Sequence, residues 1–298
     1  MMSVCPGLTS TAVEDASLAL VGTSAFDLDG YFSRIGHGGP ARPDLDTLRD
    51  IVAAHNRSIP FENLDPLVGV PVVDLSAEAL FDKLVTRRRG GYCYEHNGLL
   101  GYVLDELGFG VDRLAGRVVW MRAPDAPLPA ETHNVLAVTV PGVEERYLVD
   151  VGFGGQTLSS PIRLVAGPVQ QTRHEPYRLL DHNDGLVLQT QIHDDWKSLY
   201  TFTTAPRPRI DLEVGSWYVS THPGGVFVVG LTAALVTDDA RYNLRGRNLA
   251  IHRGGATEKI RFDTAAQVLD ELTGRFGIDL GGIDRSMLAA RVHDVLDT

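Results

Sequence analysis

The stretch RRRGGYCYEHNGLL, residues 87–100, closes one helical pattern and opens another. Ahead of it, SAEALFDKLVTRRRGG is expected to form a helix. Ser76 can cap the first turn, Leu80, Phe81, Leu84 and Val85 make the apolar face, and the glycines stop it. Behind it a second helix is expected from about Cys93 to Leu107, with Leu100, Val103, Leu104 and Leu107 inward and Gly108 as terminator. Cys93 therefore falls in a first helical turn, where unpaired backbone N–H groups and the helix dipole favour an anion. The cations Arg87, Arg88 and Arg89 act in the same direction, so a thiolate suits the place. Free cysteines are also among the most buried residues and often serve as small hydrophobes, so position alone leaves nucleophile and core residue evenly open.

Outward from this stretch the periodicity divides the chain. Residues 1–25 show no period and read as a loose extension. In PDLDTLRDIVAAHNRSIP, Leu45, Leu48, Ile51 and Val52 recur at helical spacing and Pro60 lies just beyond, so the region 26–110 is mainly helical. Over 111–210 the period becomes two, in RLAGRVVWMR, HNVLAVTV, RYLVDV, YRLLD, LVLQTQI and SLYTFTT, with turn chemistry such as HNDG between them. Short strands in succession suggest an antiparallel barrel or sandwich. Over 211–298 strand-like WYVSTH, VFVVGL, LAIHR and EKIRF precede helical AAQVLDELTGRF and RSMLAARVHDVL, which makes the whole an α+β chain.

Charge and cysteine usage exclude several classes. A net charge of −11 argues against a main role in binding nucleic acid or an anionic membrane, and no tract is long and apolar enough to span a bilayer. Cys5 and Cys93 are the only cysteines, too few for a disulfide framework or a multi-cysteine metal site. HExxH, CxxC and a calcium-type carboxylate set are absent, so no metal is expected. The first twenty residues lack the pattern of a secretory signal, and a cytoplasmic protein is expected.

A catalytic thiol needs a base, and the base needs an orienting group. His133 begins the alternating strand HNVLAVTV, and the next strand, RYLVDV, ends at Asp150. A hairpin closed by Pro141 and Gly142 would set His133 opposite Asp150. A longer loop through PGVEER would shift the pairing, and an even shift keeps both side chains on one face. The glycines of VGFGGQT, at 152, 154 and 155, allow close approach to a ligand's phosphates but suit a tight turn equally, and they match neither nucleotide-binding glycine motif.

Together, IPFENLD (59–65), RRRGGYCYEHNGLL (87–100), THNVLAV (132–138) and YLVDVGFGG (147–155) resemble the arylamine N-acetyltransferase family. The order fits, as do the 40 residues from Cys93 to His133 and the 17 from His133 to Asp150, and a fainter likeness continues through WYVSTHPGGVFVVGL to about residue 262. The resemblance implies an N-terminal helical bundle, a central antiparallel β-barrel and a C-terminal α/β lid, with Cys93, His133 and Asp150 arranged as in cysteine proteases. It implies ping-pong acetyl transfer from acetyl-CoA, through an acetyl-cysteine, to an arylamine, arylhydrazine or N-hydroxyarylamine. Phe61 and Phe153 would line the acceptor pocket, and Glu62 and Arg89 would form a structural ion pair. Gly152, Gly154, Gly155, Thr221, Phe227 and His252 would meet coenzyme A. The basic cluster RYNLRGR, with His252 and Arg253, would meet phosphates or form a solvated face. A cysteine hydrolase or transglutaminase-like enzyme using the same three residues is the alternative, and monomer and homodimer are both open.

Overall fold

The computed structural model describes residues 26–39, 41–123 and 125–297, so the extension expected over 1–25, with Cys5, lies outside the described residues. The N-terminal helices begin where side chains cap them. Helix α1 (Leu28–Ile35) starts at Asp27, whose carboxylate accepts from Gly30 N at 2.8 Å. Helix α2 (Leu45–Ser58) is capped by Asp44 in the same way, and its residues Leu48, Ile51 and Val52 are fully buried. The two-residue strand β1 (Phe61–Glu62) and the short α3 (Leu64–Leu67) follow.

Helix α4 (Ala77–Phe81) is capped by Ser76 as expected, then widens into a π-helical turn over Asp82–Thr86. It ends before the glycines, because Arg88 takes a left-handed conformation at φ 50°. Gly90 and Gly91 serve close approach instead. A Cβ on Gly90 would lie 2.0 Å from the Pro60 carbonyl, and one on Gly91 would lie 2.6 Å from Glu95 Oε2. Their bareness lets β1 lie against the start of α5 (Cys93–Glu106), where Glu62 N donates to Gly91 O at 2.8 Å. Gly108 at φ 90° follows α5, as the pattern predicts.

Seven antiparallel strands form the barrel: β2 (Gly110–Val118), β3 (His133–Thr139), β4 (Arg146–Val149), β5 (Ile162–Arg163), β6 (Tyr177–His182), β7 (Gly185–Ile192) and β8 (Asp195–Phe202). Their order is β5-β4-β3-β2-β8-β7-β6, and bridges from Ala166 to Leu179 and from Gln170 to Tyr177 bring the two ends together, so the sheet nearly closes. Leu114, Val135, Leu148, Leu188 and Leu199 fill its interior. The β3–β4 hairpin pairs Leu136 with Val149, two residues away from the register of a tight Pro141–Gly142 turn. The loop is the longer one through 140–145, and the even slip keeps His133 and Asp150 on one face.

The C-terminal part comprises α6 (Arg209–Thr221), α7 (Val226–Val229), β9 (Thr232–Val236), β10 (Arg241–Arg245), β11 (Asn248–Arg253), β12 (Ala256–Arg261), α8 (Ala265–Gly274) and α9 (Arg285–Asp294). Its sheet runs β1-β9-β10-β11-β12, so the N-terminal region lends it an edge strand through Phe61 opposite Ala234. WYVSTH and VFVVGL, expected as strands, are helical. In α6 the polarity is inverted. Leu212, Ser216 and Ser220 face inward at four-residue spacing while Ile210, Val214 and Trp217 are exposed, so the alternation of valines and aromatics misleads. Ser216 Oγ donates to Val72 O at 2.7 Å and lies 2.7 Å from the Tyr92 hydroxyl, which satisfies the buried serine face. Among the described residues no helix is long and apolar enough to cross a membrane.

Candidate active site

Helix α5 lies between the N-terminal helices and the barrel and is buried along most of its length. Its first residue, Cys93, is 4% exposed, with Sγ 3.7 Å from Thr132 O. The helix start is secured by Glu95, whose Oε2 accepts from Tyr92 N at 3.0 Å.

His133, the first residue of β3, lies 2.8 Å through Nε2 from Asp150 Oδ2, and the Cys93 side chain acts electrostatically on the same imidazole. Burial works against charging this imidazole, but Asp150 beside it, with help from Cys93, pushes its pKa up to about 10. Asp150 is fully buried, which favours its neutral form. The His133 charge and hydrogen bonds from Asn97 and Gly152 override that and hold it below the usual carboxylate range.

Asn97 is a member of the site that the sequence reading missed. One turn along α5 from Cys93, its Nδ2 donates to Asp150 Oδ1 at 2.9 Å and to Asn134 O at 2.7 Å, and its Oδ1 accepts from Val151 N at 3.0 Å. The four-residue spacing from Cys93 was the signal that could have found it. Gly152 is required by the same junction, since a Cβ there would lie 2.6 Å from Cys93 Cα and 2.9 Å from Asn97 Nδ2.

Aromatic rings surround the three residues. Phe153 stands edge-on to His133 at 5.2 Å, and Tyr200, also missed, lies 4.6 Å from the same ring. Phe61 stacks on His96 at 6.4 Å and meets Phe227 of α7 at 5.9 Å, while Phe227 packs on Tyr92, next to Cys93, at 5.3 Å. Phe227 thus belongs to the aromatic surroundings of Phe61. Gly154 takes φ 74° beside the Phe61 ring, and Gly155 packs against Asn243, where a Cβ would lie 2.3 Å from Oδ1. Thr221 and His252 bond within the lid, to Trp217 O at 2.6 Å and to Thr257 Oγ1 at 2.9 Å.

Two buried networks support this arrangement. Arg89 Nε donates to Glu62 Oε1 at 2.9 Å and its Nη2 reaches Asp65 at 2.9 Å, while Lys83 joins Asp65 at 2.6 Å and also binds Glu95. The Arg89 charge is therefore balanced away from the thiol, and Arg87 pairs with Asp82 at the surface at 2.8 Å. Arg87 and Arg89 of the arginine run are thus engaged with carboxylates. In the second network the Tyr31 hydroxyl lies 2.8 Å from His55 Nδ1, His55 Nε2 lies 2.9 Å from His96 Nδ1, and His96 Nε2 lies 3.1 Å from Pro60 O. The carbonyl only accepts, so each group in turn donates toward it and both histidines are neutral. Burial, with the neighbouring His96 and Arg34, holds His55 well below its ordinary pKa, and burial lowers His96 to about 4.

Among the described residues no group of three His, Cys, Asp or Glu side chains converges as a metal site would need. A buried cysteine at a helix start and a buried histidine that a carboxylate orients suit thiol-dependent acyl transfer.

The comparisons with known proteins narrow that class. The family model described as N-acetyltransferase matches residues 44–285. An arylamine N-acetyltransferase of Mycolicibacterium smegmatis is 76% identical over 274 residues, covering 92% of this chain and all of that protein. The solved M. smegmatis arylamine N-acetyltransferase superposes with a TM-score of 0.89 at 75% identity, over 92% of this chain and all of that one. The Mycobacterium marinum arylamine N-acetyltransferase in complex with CoA does so with a TM-score of 0.89 at 64% identity, over 90% of this chain and 99% of that one. The chain belongs to the arylamine N-acetyltransferase family and is an acyltransferase.

Proposed function

We propose that this acyltransferase carries acetyl groups from acetyl-CoA to aromatic amines by a ping-pong route, with Cys93 as nucleophile, His133 as proton carrier and Asp150 as orienting acid. The observation that carries the reading is His133, buried with Cys93 and Asp150 and held 2.8 Å from the Asp150 carboxylate. In the first half-reaction the Cys93 thiolate attacks the thioester carbonyl. The carbon–sulfur bond to CoA breaks, and the His133 imidazolium gives its proton to the departing sulfur. In the second, the amine nitrogen attacks acetyl-Cys93 and loses its proton to neutral His133, and the thiolate–imidazolium pair is restored. Asp150 stabilises the imidazolium whenever His133 carries the proton and holds the neutral ring in place otherwise. The Cys93 backbone N–H, at the positive end of α5, is our candidate donor to the tetrahedral oxyanion.

Phe61 and Phe153 offer flat apolar faces to an arylamine, arylhydrazine or N-hydroxyarylamine. For coenzyme A we retain the backbone of Gly152, Gly154 and Gly155 together with Thr221, Phe227 and His252. The M. marinum relative bound to CoA supports a CoA donor. A free buried thiol at Cys93 suits a reducing compartment, and we place the enzyme in the cytoplasm. A homodimer is the assembly to test by sedimentation, since Ile210, Val214 and Trp217 leave an apolar stripe exposed on α6.

Incubation with acetyl-CoA and a panel of anilines and hydrazines tests the reaction. N-acetylated product formed one for one with free CoA is the expected result. Free CoA with acetate as the sole acyl product across the panel would favour the hydrolase.

A further inference from the structure

Arg241 opens β10 in the basic cluster RYNLRGR, yet it is 1% exposed. All five of its N–H donors reach residues of the barrel region. Nε donates to both Glu175 carboxylate oxygens at 3.0 and 2.9 Å. Nη2 reaches Glu175 Oε2 at 2.6 Å and the Tyr177 hydroxyl at 3.2 Å. Nη1 donates to the carbonyls of Gly155 at 3.2 Å and Thr157 at 3.0 Å. The Tyr177 hydroxyl adds bonds to the carbonyls of Gln156 at 3.0 Å and Thr157 at 3.2 Å.

These carbonyls belong to the turn that leaves Asp150, and Thr157 ties the turn back on itself. Its hydroxyl donates to the Asp150 carbonyl at 2.6 Å and accepts from Phe153 N at 3.2 Å. One side chain thus fixes the backbone at both Asp150 and Phe153, and a guanidinium from the lid sheet fixes that side chain's own peptide. A lysine, with a single ammonium, could not supply the planar set of five donors.

We infer that Arg241 and Thr157 are positioning residues for the reaction: the lid, through them, sets the orienting acid Asp150 and the aromatic wall at Phe153. The inference rests on the proposed roles of those two residues. An arginine read from sequence as a phosphate contact or a solvated charge is an internal strut for the site.

Thr157→Val keeps the shape and removes the hydroxyl, while Thr157→Ser keeps the hydroxyl. The test is rapid-quench acetylation of Cys93 by acetyl-CoA across pH, with the acceptor KM measured separately. The valine variant is expected to acetylate about tenfold or more slowly, with an altered pH profile and a raised acceptor KM, because a small misplacement at a reacting site is costly. The serine variant is expected to restore all three, and Arg241→Lys to act in the direction of valine. If the valine variant does not fold, the lysine variant carries the comparison. A folded variant with a lower unfolding midpoint but wild-type acetylation rate, pH profile and acceptor KM would overturn the inference. A wild-type protein that acquires no acetyl group on Cys93 would overturn the proposed triad beneath it.

Discussion

Asn97 and Asp150 are joined by a hydrogen bond of 2.9 Å across the junction of helix and barrel, although 53 residues separate them in the chain. Through it the helix that begins at Cys93 and the turn that carries Asp150 share one buried amide. Cys93 and Asp150, the proposed nucleophile and orienting acid, are therefore fixed relative to one another.

Asn97→Ala should weaken both fold and reaction. It strands the Asn134 carbonyl, the Val151 N–H and one bond to Asp150, and unpaired buried groups of this kind cost about 2–4 kcal/mol together. Urea unfolding measures the loss, and single-turnover acetylation of Cys93 should slow by about tenfold or more as the geometry loosens.

Stability should pass through a maximum near neutral pH. His133 holds its proton up to about pH 10 in the fold, against about 6.5 unfolded, so its contribution is complete below 6.5 and is lost as pH rises toward 10. His96 behaves in the opposite sense. Its folded pKa of about 4 lies under the unfolded value, so stability falls as pH drops from about 6.5 toward 4, and His55 acts in the same direction. The slope is about 1.4 kcal/mol per pH unit for each proton. Urea midpoints across pH should show the alkaline decline reduced in His133→Gln and the acid decline reduced when His55 and His96 are both replaced by glutamine.

Phe61→Leu should divide the half-reactions. The ring lies between His96 and Phe227 rather than on the thiol, so acetyl-enzyme formation should stay close to wild type. The KM for aromatic acceptors should rise about tenfold, the value of a lost aromatic contact, with a smaller change for an aliphatic hydrazine.

Arg89→Met should act on stability alone. It leaves Glu62 without its guanidinium and Asp65 with Lys83 only, and breaking a buried ion pair costs about 3–5 kcal/mol. Thermal unfolding should move down strongly while the folded fraction acetylates Cys93 at the wild-type rate.

Much of this site was legible in the sequence because its members announce themselves locally. Cys93 stands at a capped helix start, and His133 and Asp150 stand at the ends of adjacent alternating strands. An even slip of register leaves that relation unchanged, so the hairpin expectation survived a two-residue error in pairing. What could not be read depends on partners remote in the chain. Strand β1 is two residues long and exists because β9 pairs with it. Helix α6 hides serines and exposes a tryptophan, because its buried face bonds to the loop at Val72 and to Tyr92 rather than to an apolar core. Arg241 looks like one member of a charged surface strand until Glu175 and the carbonyls after Gly154 are brought to it.

The central claim is that Cys93 accepts the acetyl group, and intact mass spectrometry with peptide mapping after incubation with acetyl-CoA alone tests it most directly. The account predicts one added acetyl group, on the peptide containing Cys93, absent in His133→Gln and removed from the wild type by an arylamine. A folded protein with an accessible Cys93 thiol that stays unmodified, or an acetyl group on any other residue, would contradict it.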